Sequence, residues 1–342
     1  MQATTVFAYL STRCNASCRF CYLSKEISSE IFLKPKELEA WLELLRPMHV
    51  VLLGGEPTLL ALPNSRPSLM EYVQVARSFC KVNLETNGLL LALEGDLMSP
   101  LYDAFDSISV SIDYVQPSRN VEVGRWPKDI MGEIFRIASE HSNVSFTSVY
   151  LWENLGDILT IAEWSIINDR PYLVKCDKSM GQNDRPEEVR EAVNMLYRYL
   201  YMLLKSYGEN PYKGRVVVEE PGWIVFLNMQ TGAKMRTGCS AGKKIFSILP
   251  NGALTPCPLG AMFYYVISRS PDYEIAKFSP LDVTGRGSRS CNSCMYNIEF
   301  GCDGCPAMGY GGSARVCPLY KPVQGEGKAA REVDQHVRGV QG

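Results

Sequence analysis

Short apolar runs rich in β-branched and aromatic residues alternate with amphipathic segments along the first half of the chain. The runs predict six strands, and the segments between them carry apolar residues at helical spacing and predict five helices. This alternation predicts an α/β fold with a parallel sheet. Because the strand runs are mostly continuous, we expect both faces of the sheet to be covered. The predicted strands are 4–12, 50–56, 81–88, 107–113, 143–151 and 171–177, and the predicted helices are 35–45, 68–79, 93–105, 127–140 and 155–169.

The pattern changes near residue 185. A further helix begins near Pro186, and its apolar stripe is Val189, Val193, Leu196, Leu200 and Leu203. From about residue 208, Gly, Pro and Cys become frequent and helical periodicity fades, as is typical of a loop-rich module stabilised by metal. We expect a first domain over 1–185, a connecting helix and linker over 186–237, a small metal-binding domain over 238–320 and a tail over 321–342.

The charges are nearly balanced: 35 Lys and Arg stand against 37 Asp and Glu in 342 residues, for a formal net charge of −2. This balance gives no electrostatic basis for binding nucleic acid or an anionic membrane. The N-terminus lacks the pattern of a secretory signal, and no apolar stretch approaches the ~20 residues that span a bilayer. We therefore expect a cytoplasmic protein without nucleic-acid or membrane partners.

The cysteines are clustered. Of twelve, three lie within eight residues of each other and seven lie between Cys239 and Cys317, whereas Cys80 and Cys176 stand apart. Tight cysteine clusters in an intracellular protein indicate metal sites more often than disulfides. Because the chain has only three histidines, thiolates must supply most ligands, which favours iron–sulfur clusters or all-cysteine zinc.

The first cluster, Cys14-x3-Cys18-x2-Cys21, directly follows the first predicted strand. Three thiolates can hold three corners of a 4Fe–4S cluster and leave one iron open. A zinc knuckle is the alternative, but structural zinc needs a fourth Cys or His. After Cys21 the first such residue is His49, so the spacing favours the iron–sulfur cluster.

Polar motifs also end the next three strands. They are Gly54-Gly55-Glu56-Pro57, Glu85-Thr86-Asn87-Gly88 and Ser109-Val110-Ser111-Ile112-Asp113. Each motif alone could be a tight turn or a locally capped strand end. The carboxyl ends of parallel strands meet at one edge, however, so four polar motifs there predict a ligand site.

In this order, the segments STRCNASCRFCYLS, GGEP, ETNG and SVSID resemble the motifs of the radical S-adenosylmethionine (radical SAM) superfamily. The resemblance covers roughly residues 5–177 and implies a partial (βα)6 TIM-like barrel. It implies that Cys14, Cys18 and Cys21 hold a 4Fe–4S cluster whose open iron binds SAM. Reductive cleavage of SAM would then give a deoxyadenosyl radical that abstracts hydrogen from a substrate, with an electron donor such as ferredoxin or flavodoxin.

The same resemblance implies which residues bind SAM. Two aromatic residues lie where the family contacts adenine, the Gly-Gly-Glu motif would meet the methionine amine, and polar residues after the third and fourth strands would help to hold the rest of the cofactor. The implied residues are Phe20, Tyr22, Gly54, Gly55, Glu56, Asn87, Ser111 and Asp113.

The later cysteines resemble the SPASM domain, which carries two auxiliary 4Fe–4S clusters. The resemblance assigns Cys239, Cys257 and Cys305 to the first auxiliary cluster, and Cys291, Cys294, Cys302 and Cys317 to the second. The chain has CX2CX7CX2C where the family has CX2CX5CX3C, so the cluster that Cys302 and Cys305 each serve stays open. Two structural zinc sites are the alternative. The segment around 240–258 predicts a hairpin with an Asn-Gly turn and Cys257 at its far end.

The isolated cysteines have different predicted roles. Cys80 is predicted to be a small core residue. Cys176 ends the sixth strand and is predicted to face the active-site edge, where it is either a structural thiol or a catalytic hydrogen donor or acceptor. Its neighbours Lys175 and Asp177 are predicted to be solvated charges.

The substrate has two candidate classes. SPASM-type enzymes often modify a peptide or protein side chain, and we favour that class. The alternative is a small molecule such as a tetrapyrrole in haem biosynthesis, but the resembling haem enzymes often read Cys-x-His-Cys where this chain has Cys18-Arg19-Phe20-Cys21. Pro258 stands where sulfatase-maturing members place an Asp base, so that activity is not predicted. A purely electron-transferring protein would have no use for the SAM motifs.

Overall fold

The computed structural model describes residues 3–21, 23, 30–126, 129–176, 186–219, 221–235, 240–242, 244–258, 267–268 and 271. Its described strands form one sheet in the order β7-β6-β5-β4-β3-β2-β1-β8-β9. The strands are β1 Thr5–Tyr9, β2 His49–Leu53, β3 Lys81–Thr86, β4 Ser107–Ser111, β5 Val144–Tyr150, β6 Tyr172–Cys176, β7 Val216–Val218, β8 Ile245–Ile248 and β9 Leu254–Thr255.

Helices connect the strands. They are α1 Pro35–Leu45, α2 Leu69–Arg77, α3 Leu89–Leu93, α4 Gly95–Ala104, α5 Pro117–Glu122, α6 Met131–Glu140, α7 Leu155–Ile167, α8 Pro186–Ser206 and α9 Pro221–Thr231, with a 3₁₀ helix at Pro57–Ala61. Local sequence explains their starts. At α2, the Ser68 hydroxyl accepts the Glu71 N–H while the Glu71 carboxylate accepts the Ser68 N–H, which is a capping box. None of the described helices is both long and apolar enough to cross a membrane.

The six predicted strands and five predicted helices are confirmed, and β1 to β6 pair in parallel in chain order. A helical crossover joins each neighbouring pair of these strands. Parallel strands that neighbour each other in chain order need such crossovers. Repeated along the sheet, they give the connectivity of a partial (βα) barrel. The sequence pattern missed α3, α5, α9 and β7, which are short or lack a clear apolar period.

Burial alternates along β3, β4 and β6, with one face buried and the other half-buried. Both faces of these strands are therefore covered, but to different degrees. The half-buried face is polar near the carboxyl ends of its strands, and an ion pair joins Glu85 of β3 to Lys175 of β6 across it. Three strand spacings separate these strands by about 14 Å in a flat sheet, so the ion pair requires the sheet to curve. We call this side the concave face; it includes Asn83, Glu85, Ser109, Ser111, Thr147, Val149 and Lys175.

The hairpin predicted around 240–258 is present and belongs to the same sheet. Strand β8 pairs in parallel with β1, and β9 returns antiparallel to β8. The turn contains Gly252 at a φ of 79°, a left-handed conformation that favours glycine. The Trp41 Nε1–H of α1 donates to the Gly252 carbonyl over 2.9 Å, which fastens the turn to the first half of the chain.

The apolar stripe predicted on helix α8 packs against the core at the positions whose side chains the structure describes. Val193, Leu196 and Leu200 are buried, and Leu203 is half-buried against the core. The side chain of Val189 lies outside the described residues. Most of the predicted metal-binding domain over 238–320 and the tail over 321–342 also lie outside them, so these domain bounds stay predictions.

Candidate functional site

The cysteine loop follows β1 at the carboxyl edge of the sheet. Cys14 and Cys21 are exposed and Cys18 is half-buried. The segment after α5 holds the loop from one side, because the Ser17 N–H donates to the Gly124 carbonyl over 2.8 Å and the Arg19 N–H donates to the Val123 carbonyl over 3.1 Å. These backbone hydrogen bonds attach the loop to the fold, and the Cys18 thiol also donates to the Gly124 carbonyl over 3.9 Å.

The two glycines after β2 hold the loop from the other side. The Gly55 N–H donates to the Ser11 carbonyl over 2.9 Å, and the Glu56 N–H donates to the Arg13 carbonyl over 2.7 Å. A Cβ atom at Gly55 would lie 2.0 Å from the Arg13 oxygen, and one at Gly54 would lie 2.6 Å from the Ser11 oxygen. The resemblance implies that these glycines meet the methionine amine of SAM, and that contact stays a prediction. In the structure they let the cysteine loop itself approach β2.

Glu56 is completely buried beneath this loop. Its carboxylate accepts the Thr58 N–H over 3.0 Å, the hydroxyls of Thr58 and Thr86 over 2.6 Å each, and the Asn87 N–H over 2.7 Å. Burial raises the pKa of Glu56, and the donated hydrogen bonds partly oppose that rise. In this arrangement Glu56 joins the ends of β2 and β3. Its contact with the methionine amine of SAM stays a prediction.

Asn87 connects the end of β3 to the cysteine loop. Its side-chain amide donates to the Asn15 side-chain oxygen over 2.7 Å, and its own Oδ1 accepts the Leu89 N–H over 2.9 Å. The Trp126 Nε1–H donates to the Asn87 carbonyl over 2.8 Å. Asn87 therefore positions the loop between Cys14 and Cys18. No pattern in the sequence indicated its partner Asn15, which lies inside the cysteine motif.

Asp113, just beyond β4, forms a buried ion pair with Arg125. Arg125 Nε lies 2.9 Å from Asp113 Oδ2, and the Nη2 group contacts the same oxygen. The other carboxylate oxygen accepts the Val149 N–H over 2.8 Å. Asp113 is completely buried, and its contact with SAM stays a prediction. Ser111 is half-buried on the concave face, and its role in binding SAM stays a prediction.

Arg125 brings a positive charge to the cysteine loop. Its guanidinium lies over the Phe20 ring, 5.2 Å from the centroid. Burial alone would lower the pKa of Arg125, but the Asp113 carboxylate and the Cys18 sulfur raise it above its usual value. Sequence reasoning missed Arg125, which lies in no motif and is twelve residues from its partner. Tyr22, the second predicted adenine contact, lies outside the described residues.

Three cysteines on one loop are a donor set that fits an iron–sulfur cluster, which would bind them as thiolates. Loss of hydration raises the pKa of Cys14 to about 11, and the Ala16 N–H partly opposes this. Burial raises the pKa of Cys18, and Arg125 opposes it. In the part of the chain that the structure describes, no three acidic, His or Cys side chains converge on one metal ion. A cubane does not require such convergence, because each cysteine binds a different iron at a separate corner.

Cys176 ends β6 at the carboxyl edge, but its side chain does not face the concave side. Its side chain is 6% exposed and belongs to the hydrophobic core. The alternation along β6 instead turns Lys175 to the concave face, where it contacts Glu85. The predicted orientation of Cys176 and the solvated state of Lys175 are both wrong, and the period of two along a strand explains why neighbours face opposite ways. Asp177 lies outside the described residues.

Residues 9–165 match the family model described as the radical SAM superfamily. The chain carries a radical SAM domain. The match and the α/β fold confirm the resemblance in the sequence, and they support the prediction that the chain is a radical SAM enzyme. The family implies SAM and one 4Fe–4S cluster, for which the structure offers Cys14, Cys18 and Cys21.

Two solved structures described with bound AdoMet share the fold. The chain is similar to a structure described as native anSMEcpe with bound AdoMet and Kp18Cys peptide, with a TM-score of 0.62 and 13% identity, over 87% of this chain and 88% of that one. A structure described as native anSMEcpe with bound AdoMet and Cp18Cys peptide gives a TM-score of 0.60 and 14% identity, over 87% of both chains. These likenesses confirm the fold.

Two curated relatives match in sequence. Both are called probable GTP 3',8-cyclase: that of Methanothermobacter marburgensis is 32% identical over 111 residues, and that of Methanopyrus kandleri is 33% identical over 141 residues. The matches cover 31% and 38% of this chain and 33% and 42% of the relatives. The chain thus spans at most about two fifths of these relatives' length.

Cys257 lies at the other edge of the sheet from the cysteine loop. Strand β9 ends at Thr255, which pairs with Ser247, so the chain leaves β9 toward the start of β8 and of its parallel neighbour β1. The Gly242 N–H donates to the Pro256 carbonyl over 2.9 Å, so the chain just after Cys239 runs beside Cys257. The other predicted auxiliary ligands, Cys239, Cys291, Cys294, Cys302, Cys305 and Cys317, lie outside the described residues.

Proposed function

We propose that this protein reductively cleaves SAM and uses the resulting radical to abstract hydrogen from a peptide or protein side chain. The observation that carries the proposal is the position of the cysteine loop. It lies in a radical SAM domain, at the carboxyl edge of the strands and beside a polar concave face. When bound, the cluster and SAM supply the electron and the deoxyadenosyl group. An electron donor such as ferredoxin or flavodoxin is part of the proposal.

The chain's own residues perform three tasks in this mechanism. Cys14, Cys18 and Cys21 would hold the cluster. Arg125, fixed by Asp113, places a positive charge next to the anionic thiolates, which stabilises charge in a partly buried loop. The concave face would orient the substrate toward this edge and exclude water from it.

A second candidate is the cyclisation of a nucleotide. The observation that favours it is the name of the two curated relatives, probable GTP 3',8-cyclase. These matches cover less than half of each relative, however, and leave the greater part of those proteins unmatched. The tetrapyrrole alternative stays a prediction, because no contact in the described residues favours it.

Anaerobically reconstituted protein with SAM and dithionite tests the SAM chemistry. The wild type should form deoxyadenosine, measured by liquid chromatography, and the triple variant C14A/C18A/C21A should form none. Cys80→Ala is the matched control, because Cys80 is half-buried against the core and its thiol donates to the Ala76 carbonyl over 3.7 Å. Deoxyadenosine at the wild-type rate from the triple variant would refute the proposed function.

A further inference from the structure

The concave face carries a charge pair that the SAM motifs do not use. Glu85 and Lys175 contact each other across two intervening strands, and their side chains are 17% and 22% exposed. Glu85 lies two residues before Asn87, whose side chain binds the cysteine loop. The pair therefore lies on the concave face close to the carboxyl edge where the radical would form.

A buried hydroxyl on the same face lacks a hydrogen-bond partner. Thr147 of β5 is 4% exposed, and its Oγ1 atom is unpaired in the structure. It pairs in register with Ser111 of β4, so the two hydroxyl-bearing residues stand side by side. A buried polar atom without a partner costs free energy, and a polar group of a bound substrate would satisfy it.

The charges that the described strands carry near the carboxyl edge of this face are paired with each other. Among the strand residues that the structure describes there, Lys175 is the one cation, and Glu85 neutralises it. The other buried cation nearby, Arg125, is paired with Asp113 and lies against the cysteine loop. A polyphosphate needs several uncompensated cations or backbone N–H groups. A peptide amide, by contrast, has an N–H that can donate to the Glu85 carboxylate and a carbonyl that can accept from the Lys175 ammonium.

We propose that Glu85 and Lys175 are a specificity-determining pair that accepts an uncharged, amide-bearing substrate of the peptide type and excludes polyphosphates such as GTP. The inference rests on the proposed function and narrows its substrate class. Glu85 excludes polyphosphates because its carboxylate neutralises the Lys175 ammonium, which would otherwise attract phosphate. Thr147 adds a hydroxyl for a further polar group of the substrate.

Binding of GTP to the reconstituted holoenzyme, measured by equilibrium dialysis, tests the exclusion. Wild type should bind GTP weakly, and Glu85→Gln should bind it at least tenfold more tightly, a gain of about 1.4 kcal/mol. The double variant E85Q/K175M should lose this gain. Glu163→Gln is the matched control, because Glu163 interacts at the surface with Tyr207, and it should bind GTP as the wild type does.

A randomised library of N-acetylated, C-amidated peptides tests whether the holoenzyme binds uncharged, amide-bearing substrates through this pair. Mass spectrometry of retained peptides should show sequences enriched by the wild type and not by E85Q/K175M. The proposal is overturned if the wild type binds GTP as tightly as Glu85→Gln, if the substitution gives no gain, or if both proteins retain the same peptides. If the variants do not fold, tight GTP binding by the wild type is enough to overturn the proposal. Deoxyadenosine formed from SAM is measured in parallel, so failure of the substrate inference is distinguishable from failure of the proposed function.

Discussion

The Arg125 guanidinium and the Asp113 carboxylate form an ion pair in which the Asp113 side chain is completely buried and that of Arg125 is 10% exposed. The pair ties the end of β4 to the segment that binds the cysteine loop through Gly124. Its two charges stabilise one another where water is excluded, so each is costly without the other.

Replacing Asp113 by Asn should therefore destabilise the protein by about 3–5 kcal/mol, because the buried charge of Arg125 loses its partner. Chemical denaturation of the cluster-free protein measures this. The double variant D113L/R125M should recover much of the loss, because both buried charges are then removed. Glu133→Gln, which breaks an exposed pair with Arg136 on α6, should change little. An Asp113→Asn protein as stable as the wild type would show that the pair does not hold this segment.

Gly55→Ala tests the close approach of the cysteine loop to β2. The added methyl group would lie 2.0 Å from the Arg13 carbonyl oxygen, so the backbone must shift at a cost of about 1–3 kcal/mol. Gly132→Ala in α6 is the control, because its methyl group meets nothing within 4 Å and alanine favours a helix by up to ~1 kcal/mol. We expect Gly55→Ala to lower the midpoint of thermal unfolding and Gly132→Ala to raise it. If both substitutions shift the midpoint in the same direction, the steric explanation is contradicted.

Glu56→Gln tests the buried junction of β2 and β3. The glutamine amide would place a donor against the hydroxyl and N–H donors that Glu56 accepts, so a loss of about 1–3 kcal/mol is expected.

The same variant has a pH signature. Burial raises the pKa of Glu56 above 4.5, so the folded state binds the proton more tightly than the unfolded state. The stability that protonated Glu56 contributes is fully present below that unfolded value and is lost as the pH rises through the folded pKa. The difference in unfolding free energy between the wild type and Glu56→Gln should therefore shrink as the pH rises. A difference that widens over that range would show that hydrogen bonding to the carboxylate outweighs burial.

Much of the fold follows from local pattern, because the six strands and their crossover helices carry strong periodicity. The hairpin near Cys257 was also predicted from its Asn-Gly turn. Its pairing with β1 was not, because pairing between strands about 240 residues apart leaves no local signal. The same limit applies to Arg125 and Asp113, and to Glu85 and Lys175. Each pair is made by tertiary geometry that single-strand patterns do not contain.

Cys176 and Lys175 show a different kind of error. Both lie at the carboxyl end of β6, where Cys176 is predicted to face the active-site edge and Lys175 to be a solvated charge. Strand alternation already permitted only one of these neighbours to face the concave side. The burial of Tyr172 and Val174 assigns Cys176 to the core and Lys175 to the site. Assigning the apolar residues of β6 to one face of the strand predicts this orientation from the sequence.

Iron content tests how many clusters the chain holds. Four irons per cluster predict roughly twelve irons per chain if both auxiliary clusters are present, and roughly four if only the SAM cluster is. Colorimetric iron analysis of the anaerobically reconstituted protein distinguishes these values, and zinc measured in parallel tests the structural zinc alternative.

The cysteine variants should then lose iron independently. Cys257 follows β9 where the chain leaves toward the amino edge of the sheet, whereas the cysteine loop follows the carboxyl end of β1, which runs from Thr5 to Tyr9. Four residue steps along a strand separate the two edges by about 13 Å, so the two ligand groups cannot share a cluster. C14A/C18A/C21A should lose about four irons and all SAM cleavage. Cys257→Ala should lose up to about four different irons, keep the absorbance change of the SAM cluster when SAM binds, and still form deoxyadenosine. If Cys257→Ala keeps the full iron content of the wild type, Cys257 is not a cluster ligand, and the hairpin that carries it is only a structural extension of the sheet.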